Sequence, residues 1–240
     1  MSGHSKWSTI KRKKGEADAK RANVFTKIAR EIAVAVKEGG ADPENNGKLR
    51  DILVKARLNN MPGDNVERCI KKAAGGEDKN EYESIVYEGY GPCGVAVMVE
   101  CLTDNRNRTA GEVRHYFDKY GGNLGTTGCV SFMFSRCAQI VLEQNEKTQE
   151  QIFDDCILSG ADNVEFGDGL VEVTGAANDF SGIRNALIEA GYEVISADIV
   201  QIPSTFTKID DEEMYKKFEK MLDMLEENDD VQNVFHNLDD

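Results

Sequence analysis

The spacing of apolar residues changes once along this chain, and that change divides what it can fold into. Before residue 77 they recur every three or four positions. Phe25, Ile28, Ile32 and Val36, with Ala29 and Ala33 beside them, form one set; Leu49, Ile52, Leu53 and Ala56 form a second; Val66, Ile70 and Ala73 form a third. Each set makes one face of a helix. From Tyr82 the period falls to two. Ile85 and Tyr87, then Val95, Val97, Val99 and Cys101, alternate as strands do, with Gly91-Pro92-Cys93-Gly94 as the turn between them. Helices first and a mixed pattern afterwards call for an α+β protein, and 240 residues suffice for two or three domains.

Local signals place the boundaries. Gly39-Gly40 stops the first helix, and Asn59-Asn60-Met61-Pro62 reads as a turn setting the third. That helix is expected to open at Asp64, with Glu67 completing an acidic variant of the capping box, and to end at Gly75-Gly76. Polar residues 77–81 read as a linker. A helix capped by Thr109 with Glu112 carries Val113, Phe117 and Tyr120, and a strand over 129–134 follows.

Segment 136–203 reads strand, helix, strand, strand, helix, strand. Its strands are 138–142, 164–166, 170–174 and 194–202. Its helices start at Thr148 (with Gln151) and Asn178, and carry Ile152, Phe153 and Cys156, then Phe180, Ile183 and Leu187. This is the ferredoxin-like order. Met214, Phe218, Met221, Leu222 and Leu225 mark a last amphipathic helix, followed by an acidic tail with Val231, Val234 and Phe235. Such a helix cannot bury its face alone. It is expected to fold back on the 82–134 sheet, which makes the intervening unit an insertion. The expected domains are therefore 1–80, basic and helical; 81–134 with 205–240, α/β; and 135–204, an inserted ferredoxin-like α/β domain.

Charge is as unevenly distributed as periodicity. The chain carries a formal net charge of −14, yet residues 1–30 hold nine lysines and arginines against two acids. Residues 81–240 hold 11 against 32. A basic arm on an acidic body suits a phosphate-backbone binder whose remainder stays off the polymer. Lys6, Lys11, Arg12, Lys13, Lys14, Lys20 and Arg21 are the candidate phosphate contacts. Trp7 among them can stack on a base or pin the arm to the helices, and the sequence leaves both open.

A second candidate is Thr103-Asp104-Asn105-Arg106-Asn107-Arg108-Thr109, expected as a loop between strand and helix. Arg106 and Arg108 could fork onto phosphate oxygens; equally, they could pair with the many acids of the body. The glycine-rich run 121–128 lacks the Gly-Lys-Ser/Thr ending of a phosphate loop and runs from helix to strand, so a flexible connection is expected.

Other classes find little support. The six cysteines (Cys69, Cys93, Cys101, Cys129, Cys137 and Cys156) form no C-x-x-C pair and read as small buried hydrophobes of a reducing compartment. His4, His115 and His236 are too scattered to complete a metal site, so neither metal nor cofactor is expected. No G-x-S-x-G or H-E-x-x-H occurs, and an enzyme is not expected. No apolar run approaches the roughly 20 residues that span a bilayer. No membrane partner is expected, and the cytoplasm is the simplest location.

Five stretches closely resemble the YebC/PmpR family of bacterial regulatory proteins, whose mitochondrial relative is the translational activator of cytochrome c oxidase subunit I. They are 3–7 (GHSKW) with the basic run after it, 25–31 (FTKIARE), 59–72 (NNMPGDNVERCIKK), 103–109 (TDNRNRT) and 229–237 (DDVQNVFHN). The chain departs from the family at Leu58, where a small residue is usual, and at Cys129 and Phe132, where serine and tryptophan or tyrosine are common. The resemblance implies three domains, one helical and two of ferredoxin-like character with the third inserted in the second. It also implies a cytoplasmic DNA-binding transcriptional regulator. Some members are instead associated with ribosomes and ease translation through proline-rich stretches, so ribosomal RNA is the alternative partner to DNA. No oligomeric state follows from the resemblance.

Overall fold

The computed structural model describes residues 18–76 and 80–239. Three helices come first: α1 (Asp18–Gly39), α2 (Gly47–Leu58) and α3 (Gly63–Ala74). Their facing sides bury Ile28, Ile32, Val36, Leu49, Ile52, Met61 and Ala73 in one core. A fully buried aliphatic side chain of this size contributes about 1.5–3 kcal/mol. Gly40, at φ +87°, ends α1. The Asn46 side chain caps α2 by accepting the Leu49 N–H at 3.0 Å, and it also donates to the Ala35 carbonyl of α1 at 2.7 Å. At the other end Asn60 takes φ 55°, which lets the Met61 N–H reach back to the Ala56 carbonyl at 2.9 Å. The expected capping box of α3 is absent. Pro62 stands at the cap, where its hydrocarbon ring can accept no bond, and Asp64 falls inside the first turn instead of at the N-cap.

Two four-stranded antiparallel sheets follow. The first contains β1 (Glu83–Tyr90), β2 (Ala96–Thr103), β3 (Asn123–Leu124) and β8 (Val231–His236), in the order β3-β1-β2-β8. Helices α4 (Arg106–Lys119) and α7 (Glu212–Glu227) cover one of its faces. Phe117 and Val113 of α4 pack there with Phe218, Met221 and Leu225 of α7 against Val95, Val97 and Val99. The residues read as an acidic tail are thus strand β8. Its partner is β2, from Val97 with His236 to Cys101 with Val231.

The second sheet, β4 (Phe134–Glu143), β5 (Asn163–Gly167), β6 (Leu170–Ala176) and β7 (Val194–Pro203), has the order β5-β6-β4-β7. With α5 (Gln149–Leu158) and α6 (Phe180–Glu189) it forms the β-α-β-β-α-β arrangement. The expected Thr148–Gln151 capping box is present, and α6 starts two residues later than expected because 177–179 form a short 3-10 turn. This unit enters the chain between β3 and α7.

Of the strand expected over 129–134, only Phe134 is in one, as the first residue of β4. The others form a bend and a 3-10 turn (Ser131–Met133) before it. The glycine-rich connection before them is held in place. The buried Glu88 carboxylate accepts N–H bonds from Gly128 (2.8 Å), Val130 (2.9 Å) and Ser131 (2.8 Å), and the Gly125 N–H bonds the Glu88 carbonyl at 2.8 Å. The backbones approach so closely that a Cβ on Gly122 would lie 2.6 Å from the Tyr90 carbonyl oxygen. Of the cysteines only Cys101 and Cys156 are buried; Cys93 is exposed at the Pro92–Gly94 turn, and the other three are half-buried.

Candidate nucleic-acid interface

Three of the stretches singled out in the sequence meet at one buried carboxylate. The Asp230 side chain is 4% exposed. Arg30 of α1 reaches its Oδ1 at 2.5 Å, and Arg108 of α4 reaches its Oδ2 at 2.7 Å. Thr109 Oγ1 lies 2.7 Å from the same Oδ2, and Thr103 Oγ1 lies 3.2 Å away. Burial alone would raise this carboxyl's pKa, but bonds from Arg108, Thr109 and Arg30 outweigh it and hold the group below its ordinary value. Arg30 also donates to the carbonyls of Leu102 (3.2 Å) and Asp229 (2.7 Å). One turn earlier, Lys27 donates to the Glu226 carbonyl at 2.7 Å. Burial pulls that ammonium down to about 8. Lys27 and Arg30, two of the nine cations of the leading thirty residues, thus fasten α1 to the first sheet.

This hub relocates the second candidate segment. Asn105, not Thr109, caps α4, its side chain accepting the Arg108 N–H at 3.1 Å. Thr109 is inside the helix and buried on Asp230. Arg106 and Arg108 therefore occupy the first turn of a helix rather than a loop. Arg106, 67% exposed, forms a surface pair with Glu83 at 3.0 Å. Arg108, 42% exposed, gives Nη2 to both Asp104 (2.8 Å) and Asp230. Its other guanidinium donors are not used in these bonds. Lys20 and Arg21 fall in the first turn of α1. Lys6, Trp7, Lys11, Arg12, Lys13 and Lys14 lie outside the described residues.

A second junction mirrors the first with its charges reversed. Here the helical unit supplies the acid. Asp51 of α2 receives Arg184 of α6 at 2.9 Å and the Ser181 hydroxyl at 2.8 Å. The Arg184 side chain is 2% exposed, and its guanidinium stands 5.2 Å over the Phe180 ring. Nearby, Lys55 bridges Glu31 (3.0 Å) and Asp198 of β7 (3.3 Å). Burial opposes the Lys55 charge, but the two carboxylates prevail and raise its pKa. Leu58 packs, partly buried, against the core of the second sheet.

Sequence reasoning passed over both junctions and also the outer face of α3. There Asp64, Glu67, Arg68, Lys71 and Lys72 line a shallow open groove. The acids of α3's early turns masked the cations of its later ones when charge was summed along the sequence. Among the described residues no group of three or more histidine, cysteine or acidic side chains could hold a metal ion, and no helix is long and apolar enough to cross a membrane.

Residues 5–76 match the family model of the TACO1/YebC protein N-terminal domain, and residues 82–238 match that of the TACO1/YebC second and third domain. A probable transcriptional regulatory protein of Finegoldia magna is 54% identical over 239 residues, covering 100% of this chain and 99% of that protein. One of the same name from Acetivibrio thermocellus is 52% identical, covering 99% and 98%. The crystal structure of a conserved hypothetical protein from Aquifex aeolicus is similar with a TM-score of 0.84 and 42% identity, over 93% of this chain and 92% of that one.

Proposed function

Since the chain belongs to the TACO1/YebC family, whose relatives bear the name probable transcriptional regulatory protein, we propose that it is a non-enzymatic, DNA-binding regulator of transcription acting in the cytoplasm. Its basic arm would hold nucleic-acid phosphates through Lys6, Lys11, Arg12, Lys13, Lys14, Lys20 and Arg21. Arg106 and Arg108 at the start of α4 would make a further contact, using guanidinium donors that their carboxylate partners leave open. The single observation behind this reading is the partition of charge, with a cationic surplus in residues 1–30 and a strong acidic surplus beyond residue 80.

Screening makes the partition workable. At physiological salt, charge interactions decay over about 8 Å, so acids a domain away barely oppose the arm. The Arg30–Asp230 and Asp51–Arg184 junctions fix the helical unit on the acidic body. Each phosphate neutralised releases counterions and steepens the dependence of affinity on salt.

The test is binding to duplex DNA across a salt series, comparing the wild type with K11A/R12A/K13A/K14A. The variant should bind more weakly to all sequences, and its log–log salt slope should be shallower by about 3.6, at about 0.9 per lost phosphate contact. Crosslinking in cells that recovers ribosomal RNA and no DNA would overturn the proposal in favour of a ribosome-associated role.

A further inference from the structure

The outer face of α3 has no part in the reading above, and we infer that it is a second contact surface for duplex DNA, gripping the same segment as the arm. This inference rests on the regulatory reading. Helix α2, the four residues 59–62 and helix α3 form a helix–short turn–helix with α1 packed against it. In three-helix DNA-binding units the helix after such a turn lies in the major groove, while an N-terminal arm reaches into the adjacent minor groove. That likeness is an analogy of arrangement; the charges of α3 give it content.

The other two helices have their partners. Helix α1 holds the β8 region through Lys27 and Arg30, and α2 holds the second sheet unit through Asp51 and Lys55. Helix α3 turns Val66, Ile70 and Ala73 into the helical core and leaves its opposite side open. On that side the cations cluster in the later turns. Lys71 meets Glu67 at 3.4 Å, whereas Arg68 and Lys72 have no acid partner among the described residues.

Arg68 and Lys72 are also four apart on one helix, a like-charge spacing that weakens a helix by about 0.2–0.5 kcal/mol. In a chain with 43 acids against 29 lysines and arginines, two neighbouring cations with no ion pair among the described residues are not forced by composition. A polyanion lying across both would turn that repulsion into attraction.

The arm can reach the same segment. The Lys55–Glu31 and Asn46–Ala35 contacts set α2 antiparallel to α1. The 59–62 turn and the start of α3 therefore lie level with the first half of α1, the half that follows the arm in the chain. Seventeen preceding residues could extend up to about 55 Å, several times the spacing of phosphates along one strand.

The experiment is titration of a 20-base-pair duplex with the full chain, its R68A/K72A variant and its E67Q variant, over a series of salt concentrations. R68A/K72A should bind at least tenfold more weakly at low salt, with a slope shallower by about 1.8. E67Q releases Lys71 and should bind more tightly with a steeper slope, a gain that misfolding cannot mimic. If the arm variant loses affinity while R68A/K72A and E67Q both match the wild type, this inference fails and the regulatory reading stands. If the wild type itself does not bind duplex DNA, both fail.

Discussion

Arg108 and Arg68 are both exposed arginines near the start or middle of a short helix, yet their surroundings give them opposite uses. Arg108 sits in a stretch dense with arginine and asparagine that reads like a phosphate site. The structure puts two carboxylates on its Nη2, one of them buried. Arg68 sits in a stretch whose charges nearly cancel when summed, yet it is exposed and forms no ion pair among the described residues. A cationic motif is therefore no guide to available charge. What matters is whether an acid from a distant part of the chain folds onto it.

The firmest way to break this comparison is Asp230→Ala. Removing one partner of a buried ion pair leaves uncompensated charge, here on Arg30 and Arg108, and costs about 3–5 kcal/mol. Urea denaturation should show a loss of that size; a loss below about 1 kcal/mol would return Arg108 to the class of free cations. Truncation gives a second measure. A chain beginning at residue 18 keeps α1 and should retain its helical circular dichroism while binding DNA poorly. A chain beginning after Arg30 loses Ile28 from the core and Arg30 from Asp230, and should be markedly destabilised.

Acid titration sharpens the contrast further. The Asp230 pKa is held below its ordinary 3.8 in the folded protein. Its contribution is complete above the unfolded value and is lost as pH falls through the lower folded one. In R108A the folded pKa should move back toward 3.8, so stability should begin to fall at higher pH than in the wild type. The smallest effect expected is that of R106A. Its pair with Glu83 is exposed on both sides, and the change in stability should stay within about 1 kcal/mol.

Much of this architecture is visible in the sequence because short-range signals fix it. The 3.6 period found α1 to α3, alternation found β1 and β2, and the strand–helix order of 136–203 gave the unit later seen as β4 to β7. The three-way division at 80, 134 and 204 that we propose follows from those signals. The errors fall where a distant partner decides. Thr109 looks like a cap until Asp230, 121 residues away, takes its hydroxyl. The run before β4 looks like a strand and a loose glycine connection, because nothing local shows that Glu88 will gather three of its N–H groups. Residues 231–236 look like a tail until β2 offers an edge. Of the candidate site, the arm is plain from composition. The face of α3 is not, since only the fold shows which of its charges are answered.

One pairing in the second sheet has a consequence for taking that unit out of the chain. Phe134, the first residue of β4, lies opposite Pro203, the last of β7, and the Ser204 N–H bonds the Met133 carbonyl at 2.8 Å. The chain therefore leaves the first sheet unit and returns to it at adjacent points, about one strand spacing apart, roughly 5 Å. Cutting out everything between and closing the gap with a tight reverse turn would ask almost nothing new of the host backbone. The cost of removing 134–203 would fall instead on the side chains it shares with α2, where Asp51 would lose Arg184 and Lys55 would lose Asp198.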